Sequence, residues 1–251
     1  MIPIVGAGCG AADLITLRGK EYLEQADVIV YAGSLVNPAL LSYAKPGCAI
    51  HDSAKMTLEE IVDVIAAAEA AGKTTVRLHT GDPSLYGAIG EQMREFDKRG
   101  FCYDITPGVS AFAGAAASLQ AEYTLPDVSQ TLILTRMSGK TPVPEKERLS
   151  LLAAHGASMA LYLSAGLLRD AVTELLAGGC APDTPAAIVY KATWPEEKIY
   201  RCTVETLAAT AEANGVTKTA LIVVGDFLNS PFSRSQLYDP AFGTEYREVK
   251  S

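Results

Sequence analysis

Cysteine is scarce and unpaired in this chain. Cys9, Cys48, Cys102, Cys180 and Cys202 are odd in number and no two stand as C-x-x-C. A disulfide framework needs pairs and a structural zinc site needs clustered thiolates, so neither is expected, and the thiols are read as reduced. Only three histidines occur, His51, His79 and His155, with no ligand cluster around them. No stretch reaches the about 18 consecutive apolar residues of a spanning helix. The start, MIPIVGAG, lacks the basic flank and long apolar core of a secretory signal. The expectation is a cytoplasmic protein without a membrane partner. Positive charge is short as well: Lys+Arg number 21 against 29 Asp+Glu, a net charge of −8, with no basic block. That argues against a surface that tracks nucleic-acid phosphates, and any acidic ligand would need a local basic pocket.

What remains is the composition of a globular protein: 251 residues, 49% hydrophobic and 20% charged. That length buries a large core without staples and allows one large domain or two smaller ones. The first half alternates strand and helix signals. Ile2–Val5, Val28–Tyr31, Thr75–Leu78 and Cys102–Ile105 read as strands, and Leu17–Ala26, Ile89–Arg99 and the alanine-rich Ser110–Leu119 as helices. Asn37–Tyr43 is a short helix candidate with Pro38 in its first turn. Thr57 and Glu60 form a capping-box pattern ahead of Ile61, Val64, Ile65 and Ala68, and Gly72 ends that helix. Such alternation predicts a mainly parallel sheet covered by helices.

Glu122–Gln130 interrupts the pattern and reads as a linker. Beyond it, strands are predicted at Thr131–Thr135, Ala160–Leu163, Ala187–Tyr190, Ile199–Thr203 and Leu221–Val224, and helices near Glu145–Ala154, Leu167–Ala177 and Val204–Ala213. The short polar stretch beyond Trp194-Pro195 suits a hairpin, so this sheet should be mixed. The expected organisation is an α/β protein of two α/β domains, 1–122 and 130–228, with an extended or partly disordered tail over 229–251.

In the first half each strong glycine turn follows a strand, and ligands of open α/β sheets sit at those carboxyl ends. Three loops stand out: Gly6–Gly10, Thr80–Gly87 and Pro107–Ala111. Gly6, Gly8 and Ala11 fit the dinucleotide fingerprint G-x-G-x-x-G/A. The fingerprint also wants an acid after the second strand, where this chain has Ala32-Gly33-Ser34. A nicotinamide site and a plain tight turn both remain open from this motif alone. Asp82 in Thr80-Gly81-Asp82-Pro83 reads either as a ligand contact or as a turn-forming cap.

Taken in order, Gly6-x-Gly8-x-Gly10, Tyr31-Ala32-Gly33-Ser34-Leu35-Val36, Thr80–Gly87 continuing through Ala88-Ile89-Gly90-Glu91-Gln92-Met93, and Pro107-Gly108-Val109-Ser110 closely resemble the tetrapyrrole methylases of corrin biosynthesis. The likeness runs to about Phe227. YAGSLV and TGDPSLYGAIGEQM resemble the branch acting at carbon 11 of precorrin-4 or cobalt-precorrin-4; GxG, GDP and PGV belong to the wider superfamily. The resemblance implies two α/β domains with S-adenosylmethionine in the cleft between them, S-adenosylhomocysteine as product, a tetrapyrrole acceptor, a homodimer and no catalytic metal. Family binding positions fall on Gly8, Cys9 and Gly10, on Thr80, Gly81 and Asp82 with Tyr86 nearby, on Ser110 and Ala111, and on Leu163, Ala192 and Ala220. No catalytic residue is singled out, because methyl transfer from a sulfonium chiefly needs alignment. Methylation at another ring carbon and nicotinamide-dependent oxidoreduction are the competing readings.

One stretch departs from the family, which usually reads G-x-G-P-G-D-P where this chain reads G-A-G-C-G-A-A. Cys9 replaces a proline, and Ala11 and Ala12 replace Asp-Pro. The glycines survive, but proline stiffness and a carboxylate are lost. A polycarboxylate acceptor facing a chain of net charge −8 calls for cations near the loops; Arg18, Lys55, Arg77, Arg136, Lys140 and Lys191 are the candidates, and Tyr31 and Tyr86 are candidates for packing on the ring.

Overall fold

The computed structural model describes residues 1–249, apart from the side chain of Ser34; Lys250 and Ser251, at the end of the expected tail, lie outside the described residues. The chain divides into two compact units. One holds Met1–Ala115 together with Lys191–Glu197, the other Ala116–Tyr190 and the chain from Lys198 onward.

The first unit is built on strands β1 (Ile2–Gly6), β2 (Val28–Tyr31), β3 (Ala49–Asp52), β4 (Thr75–His79) and β5 (Tyr103–Thr106). They form one sheet in the order β3-β2-β4-β1-β5, parallel throughout. Parallel strands need crossovers: helices α1 (Leu17–Gln25), α2 (Leu58–Ala70) and α3 (Ile89–Lys98) supply three, and 3₁₀ turns at Gly33–Leu35 and Pro38–Tyr43 lie in the one from β2 to β3; α4 (Ala111–Leu119) follows β5. Side chains alternate across the sheet. Ile2, Ile4, Val28 and Val30 pack with Ile61 and Ile65 of α2 and Phe96 of α3. Val5, Ile29, Val76 and Leu78 pack the other way, with Leu23 and Leu40. Both faces are covered, which is why β1 and β2 read as unbroken apolar runs. The capping box of α2 forms as predicted, Thr57 N donating to Glu60 Oε2 at 2.7 Å and Glu60 N to Thr57 Oγ1 at 3.3 Å.

The second unit has strands β6 (Leu132–Arg136), β7 (Ser158–Tyr162), β8 (Pro185–Tyr190), β9 (Lys198–Thr203) and β10 (Ala220–Val224), in the order β6-β7-β10-β8-β9. β6 and β7 are parallel and the remaining pairs antiparallel, the mixed sheet expected. Helices α5 (Leu149–Ala153), α6 (Leu168–Ala177) and α7 (Leu207–Ala213) close one face over Met159, Leu161, Ile188 and Ile222. The helix expected over 145–154 is a 3₁₀ turn at Glu145–Glu147 followed by the short α5. β8 and β9 pair from Pro185↔Thr203 to Tyr190↔Lys198, so Lys191–Glu197 is the hairpin connection anticipated around Trp194. Among the described residues beyond Asn229, regular structure is limited to a 3₁₀ turn at Gln236–Tyr238 and one bridge between Thr244 and Arg247.

Candidate active site

The strand order decides where the first unit can bind a ligand. β4, β1 and β5 are neighbours, so the three glycine loops leaving their carboxyl ends stand side by side. Their backbones interlock. Gly8 N donates to Gly81 O at 3.2 Å and Gly81 N returns a bond to Gly8 O at 3.1 Å, while Ala7 N donates to His79 O at 2.7 Å. A Cβ on Gly6 would lie 2.6 Å from Gly108 N and 2.7 Å from Gly81 O, and one on Gly108 would strike Gly81 O. The close approach of three backbones, more than any turn, demands glycine at positions 6 and 108. Gly81 is different: it is left-handed at φ +53°, and a Cβ there would meet nothing nearer than 3.8 Å, the first neighbours being Ala111 N and Ser110 Cα.

Asp82 ties two of the loops together. Its Oδ2 accepts from Gly108 N at 2.9 Å, and its Oδ1 accepts from Ser84 N at 2.9 Å and from the Ser84 hydroxyl. Burial works to raise its pKa, but these donors outweigh burial and hold the carboxyl below its ordinary range. Asp82 thus acts as a turn-forming acceptor, and it also reaches across to the loop after β5, which the sequence did not reveal.

The first loop is braced by the hairpin connection that belongs to this unit. Thr193 Oγ1 accepts from Ala11 N at 2.9 Å and lies 3.6 Å from Cys9 Sγ. Asn37 Nδ2 donates to Gly10 O at 2.9 Å. A Cβ on Gly10 would collide with Ala192 O and the Trp194 ring, and one on Gly114 of α4 would lie 2.6 Å from Cys9 Cβ. Lys191 and Thr193 are both left-handed, at φ +48° and +65°. Gly8, Cys9, Gly10, Gly81, Asp82, Ser110, Ala111 and Ala192 are therefore brought together. Thr80 is half-buried at the root of its loop, and Tyr86 is exposed further along it at φ +55°.

Leu163 and Ala220 belong to the second unit. Leu163 directly follows β7, and Ala220 opens β10, where it pairs with Tyr190. Leu163 is left-handed, at φ +53°, and 63% exposed, an unusual combination for a bulky apolar residue. Ser164 holds that turn, accepting from Met137 N at 2.9 Å and donating to Tyr162 O at 2.7 Å.

A polar column underlies the second loop. Thr75, Arg77 and His79 alternate along β4 on the face toward α3, and Arg77 and His79 are each 3% exposed. Arg77 Nε donates to Gln92 Oε1 at 2.8 Å and its Nη1 to Val30 O at 3.0 Å. That fixes the Gln92 amide: its nitrogen, Nε2, faces His79 Nε2 and Ala88 O, each at 3.4 Å. Burial lowers the Arg77 pKa to about 10. Burial, and then the Arg77 charge, press His79 down to about 3, so it is neutral. Arg77, a sequence candidate for acceptor carboxylates, is corrected here: a fully covered parallel sheet has buried it. Arg136 is also engaged, donating to the carbonyls of Met137, Thr141 and Pro142. Lys191 Nζ pairs with Glu196 at 3.5 Å and lies 4.9 Å from the Trp194 ring centroid. Among the described residues, no group of three His, Cys, Asp or Glu side chains is placed to hold a metal ion, and no helix is long and apolar enough to cross a membrane.

Residues 1–208 match the family described as Tetrapyrrole (Corrin/Porphyrin) Methylases. The chain belongs to this family. Among tetrapyrrole methylases it is similar to the cobalt-precorrin-4 C(11)-methyltransferase of Methanocaldococcus jannaschii, with 52% identity over 98% of this chain and 95% of the relative. It is 46% identical to the precorrin-4 C(11)-methyltransferase of Mycobacterium tuberculosis, over 97% of this chain and 98% of that one. Among solved methylase structures it resembles the cobalamin biosynthetic enzyme cobalt precorrin-4 methyltransferase, CbiF. The TM-score is 0.89 at 47% identity, over 91% of this chain and 96% of that one.

Proposed function

We propose that this chain transfers the methyl group of S-adenosylmethionine to carbon 11 of precorrin-4 or cobalt-precorrin-4, a step of cobalamin biosynthesis. The observation that carries this reading is full-length likeness to C(11)-methyltransferases, 52% identity over 98% of the chain. Likeness confined to the glycine loops would speak for the cofactor alone; this one extends through the second unit as well. The nicotinamide reading falls with the family assignment.

The residues present suit the cofactor. S-adenosylmethionine supplies a methyl group already activated by its sulfonium. The chain must contribute placement, and placement is what the three loops are built for. Gly8, Cys9, Gly10, Thr80, Gly81, Asp82, Tyr86, Ser110, Ala111 and Ala192 would hold the cofactor, with Leu163 and Ala220. The space over Gly81, where a Cβ would keep 3.8 Å from Ser110 and Ala111, suits close approach of a ligand. Two titratable groups of the second loop and its root, His79 and Asp82, are already engaged. His79 is buried, neutral and turned to Gln92, and the Asp82 carboxylate is engaged by Ser84 and Gly108. They hold the site in shape. The same reading takes the chain to be a homodimer of the cytoplasm.

The test is incubation with S-adenosylmethionine and each acceptor, the product's mass and the methylated carbon being read by mass spectrometry and NMR. Transfer to carbon 11 is expected. Absence of transfer to both acceptors, or transfer to another carbon, refutes the proposal.

A further inference from the structure

We propose that Gln92 is a positioning residue for this site, its side-chain amide buckling the loop Thr80–Ala88 closed at both ends. The inference rests on the reading that this loop holds the cofactor. Gln92 lies on α3 and is 5% exposed. Its Oε1 is committed to Arg77 Nε at 2.8 Å, so its nitrogen has a fixed aim. That nitrogen meets His79, the residue before the loop, and Ala88 O, the loop's last carbonyl, both at 3.4 Å. One amide group therefore touches the two roots of the loop.

The loop needs such a tie. Tyr86 and Ala88 are both left-handed, at φ +55° and +50°, although neither is glycine. Gly87 between them is packed so closely that a Cβ would strike Pro83 O. A tightly wound segment with two such residues persists only where its surroundings hold it. Arg77 is the anchor. It is a buried cation whose side-chain bonds go to Gln92 and to carbonyls, with no carboxylate partner among the described residues. A lone buried cation is costly, and here its geometry dictates the Gln92 amide.

Gln92→Glu separates positioning from folding. A carboxylate oxygen still accepts from Arg77 Nε, but the second oxygen has no proton for Ala88 O and can bond His79 only where the imidazole carries its proton on Nε2. Gln92→Met removes the acceptor too and leaves Arg77 unsatisfied. Both variants and the parent protein are compared at pH 8, well above histidine's titration range. Thermal midpoints, the dissociation constant of S-adenosylhomocysteine and amide exchange are measured. The expected result for Gln92→Glu is a midpoint within ~2 °C of the parent. Its dissociation constant rises about tenfold. Exchange over Leu85–Ala88 quickens about tenfold while Val76–Leu78 of β4 is unchanged. Gln92→Met loses midpoint as well. Gln92→Glu with parental binding and loop exchange overturns the proposal, as does a midpoint fallen as far as that of Gln92→Met. If the parent protein itself fails to bind S-adenosylhomocysteine, the cofactor reading fails, and the loop exchange still decides whether Gln92 is the buckle.

Discussion

Acidification from pH 7 to pH 5 should destabilise the first unit, and His79 sets the size of the effect. The residue is 3% exposed, its Nε2 faces an amide nitrogen, and Arg77 lies on the same face of β4. Burial, then that charge, lower its pKa from 6.5 to about 3. As pH falls below 6.5 the unfolded chain takes up a proton that the folded chain refuses until about pH 3. Stability contributed by the neutral ring is thus complete above 6.5 and is lost as pH falls. One pKa unit is worth about 1.4 kcal/mol, so the interval from 7 to 5 costs about 2 kcal/mol, and the whole window to pH 3 about 5 kcal/mol. For a chain of this size 2 kcal/mol lowers the midpoint by roughly 4–8 °C.

The assay is calorimetric unfolding of the parent protein and of His79→Gln at both pH values. Asp27, Asp82 and Glu95 also have lowered pKa values, but their contributions are common to both proteins and cancel in the difference of differences. The parent should lose about 2 kcal/mol more than the variant between pH 7 and pH 5. Equal losses would refute the claim that His79 is buried neutral against Gln92 and Arg77.

Other outcomes follow from the loops and caps. Gly108→Ala should cost about 1–3 kcal/mol in urea denaturation, because its Cβ meets the Gly81 carbonyl and no flexible side chain can yield. Asp82→Ala should raise the dissociation constant of S-adenosylhomocysteine about tenfold by calorimetric titration, since the bonds to Ser84 and Gly108 are lost together; an unchanged constant would remove Asp82 from the site. Thr57→Ala should cost about 1 kcal/mol of stability while leaving that constant alone, as the capping box lies on α2, outside the three loops.

Much of this fold was legible because its signals are local. The apolar runs of β1, β2 and β10, the Thr57 capping box and the hairpin around Trp194 each reach no further than a few residues. β3 was missed because it is an edge strand, with Ala49 and Ile50 exposed and His51 and Asp52 half-buried. Its sequence carries no strong apolar pattern. The three glycine loops were legible one by one. That Gly6, Gly81 and Gly108 press on one another follows from the order β4-β1-β5, which the sequence does not state. Arg77 was misplaced for the same kind of reason: V-R-L-H alternates as a half-exposed strand does, and only the cover given by α3 turns its polar face into core. The attachment of Lys191–Glu197 to the first unit, through Thr193 and Ala192, left no sequence signal beyond the hairpin itself.

The altered first loop is best judged by what replaces the missing proline and carboxylate. A proline would stiffen the backbone between Gly8 and Gly10; here the stiffness comes from bonds to other segments. Gly8 is bridged to Gly81, the Gly10 carbonyl accepts from Asn37, and the Ala11 amide donates to Thr193. Cys9 fills the notch left by Gly114. Thr193 is therefore the residue to perturb. Thr193→Val keeps the shape of the side chain and leaves the half-buried Ala11 amide without its acceptor, a loss of about 1 kcal/mol. If these bonds do the work of the proline, amide exchange over Gly8–Ala12 should quicken and S-adenosylhomocysteine should bind several-fold more weakly. The global midpoint should fall by no more than ~4 °C. Gly81→Ala gives the converse, since its Cβ meets no clash yet occupies the space beside Ser110 and Ala111. It should weaken binding by more than its backbone strain of about 1–2 kcal/mol costs the fold. Parental exchange and affinity in Thr193→Val would show that the glycines alone shape this loop.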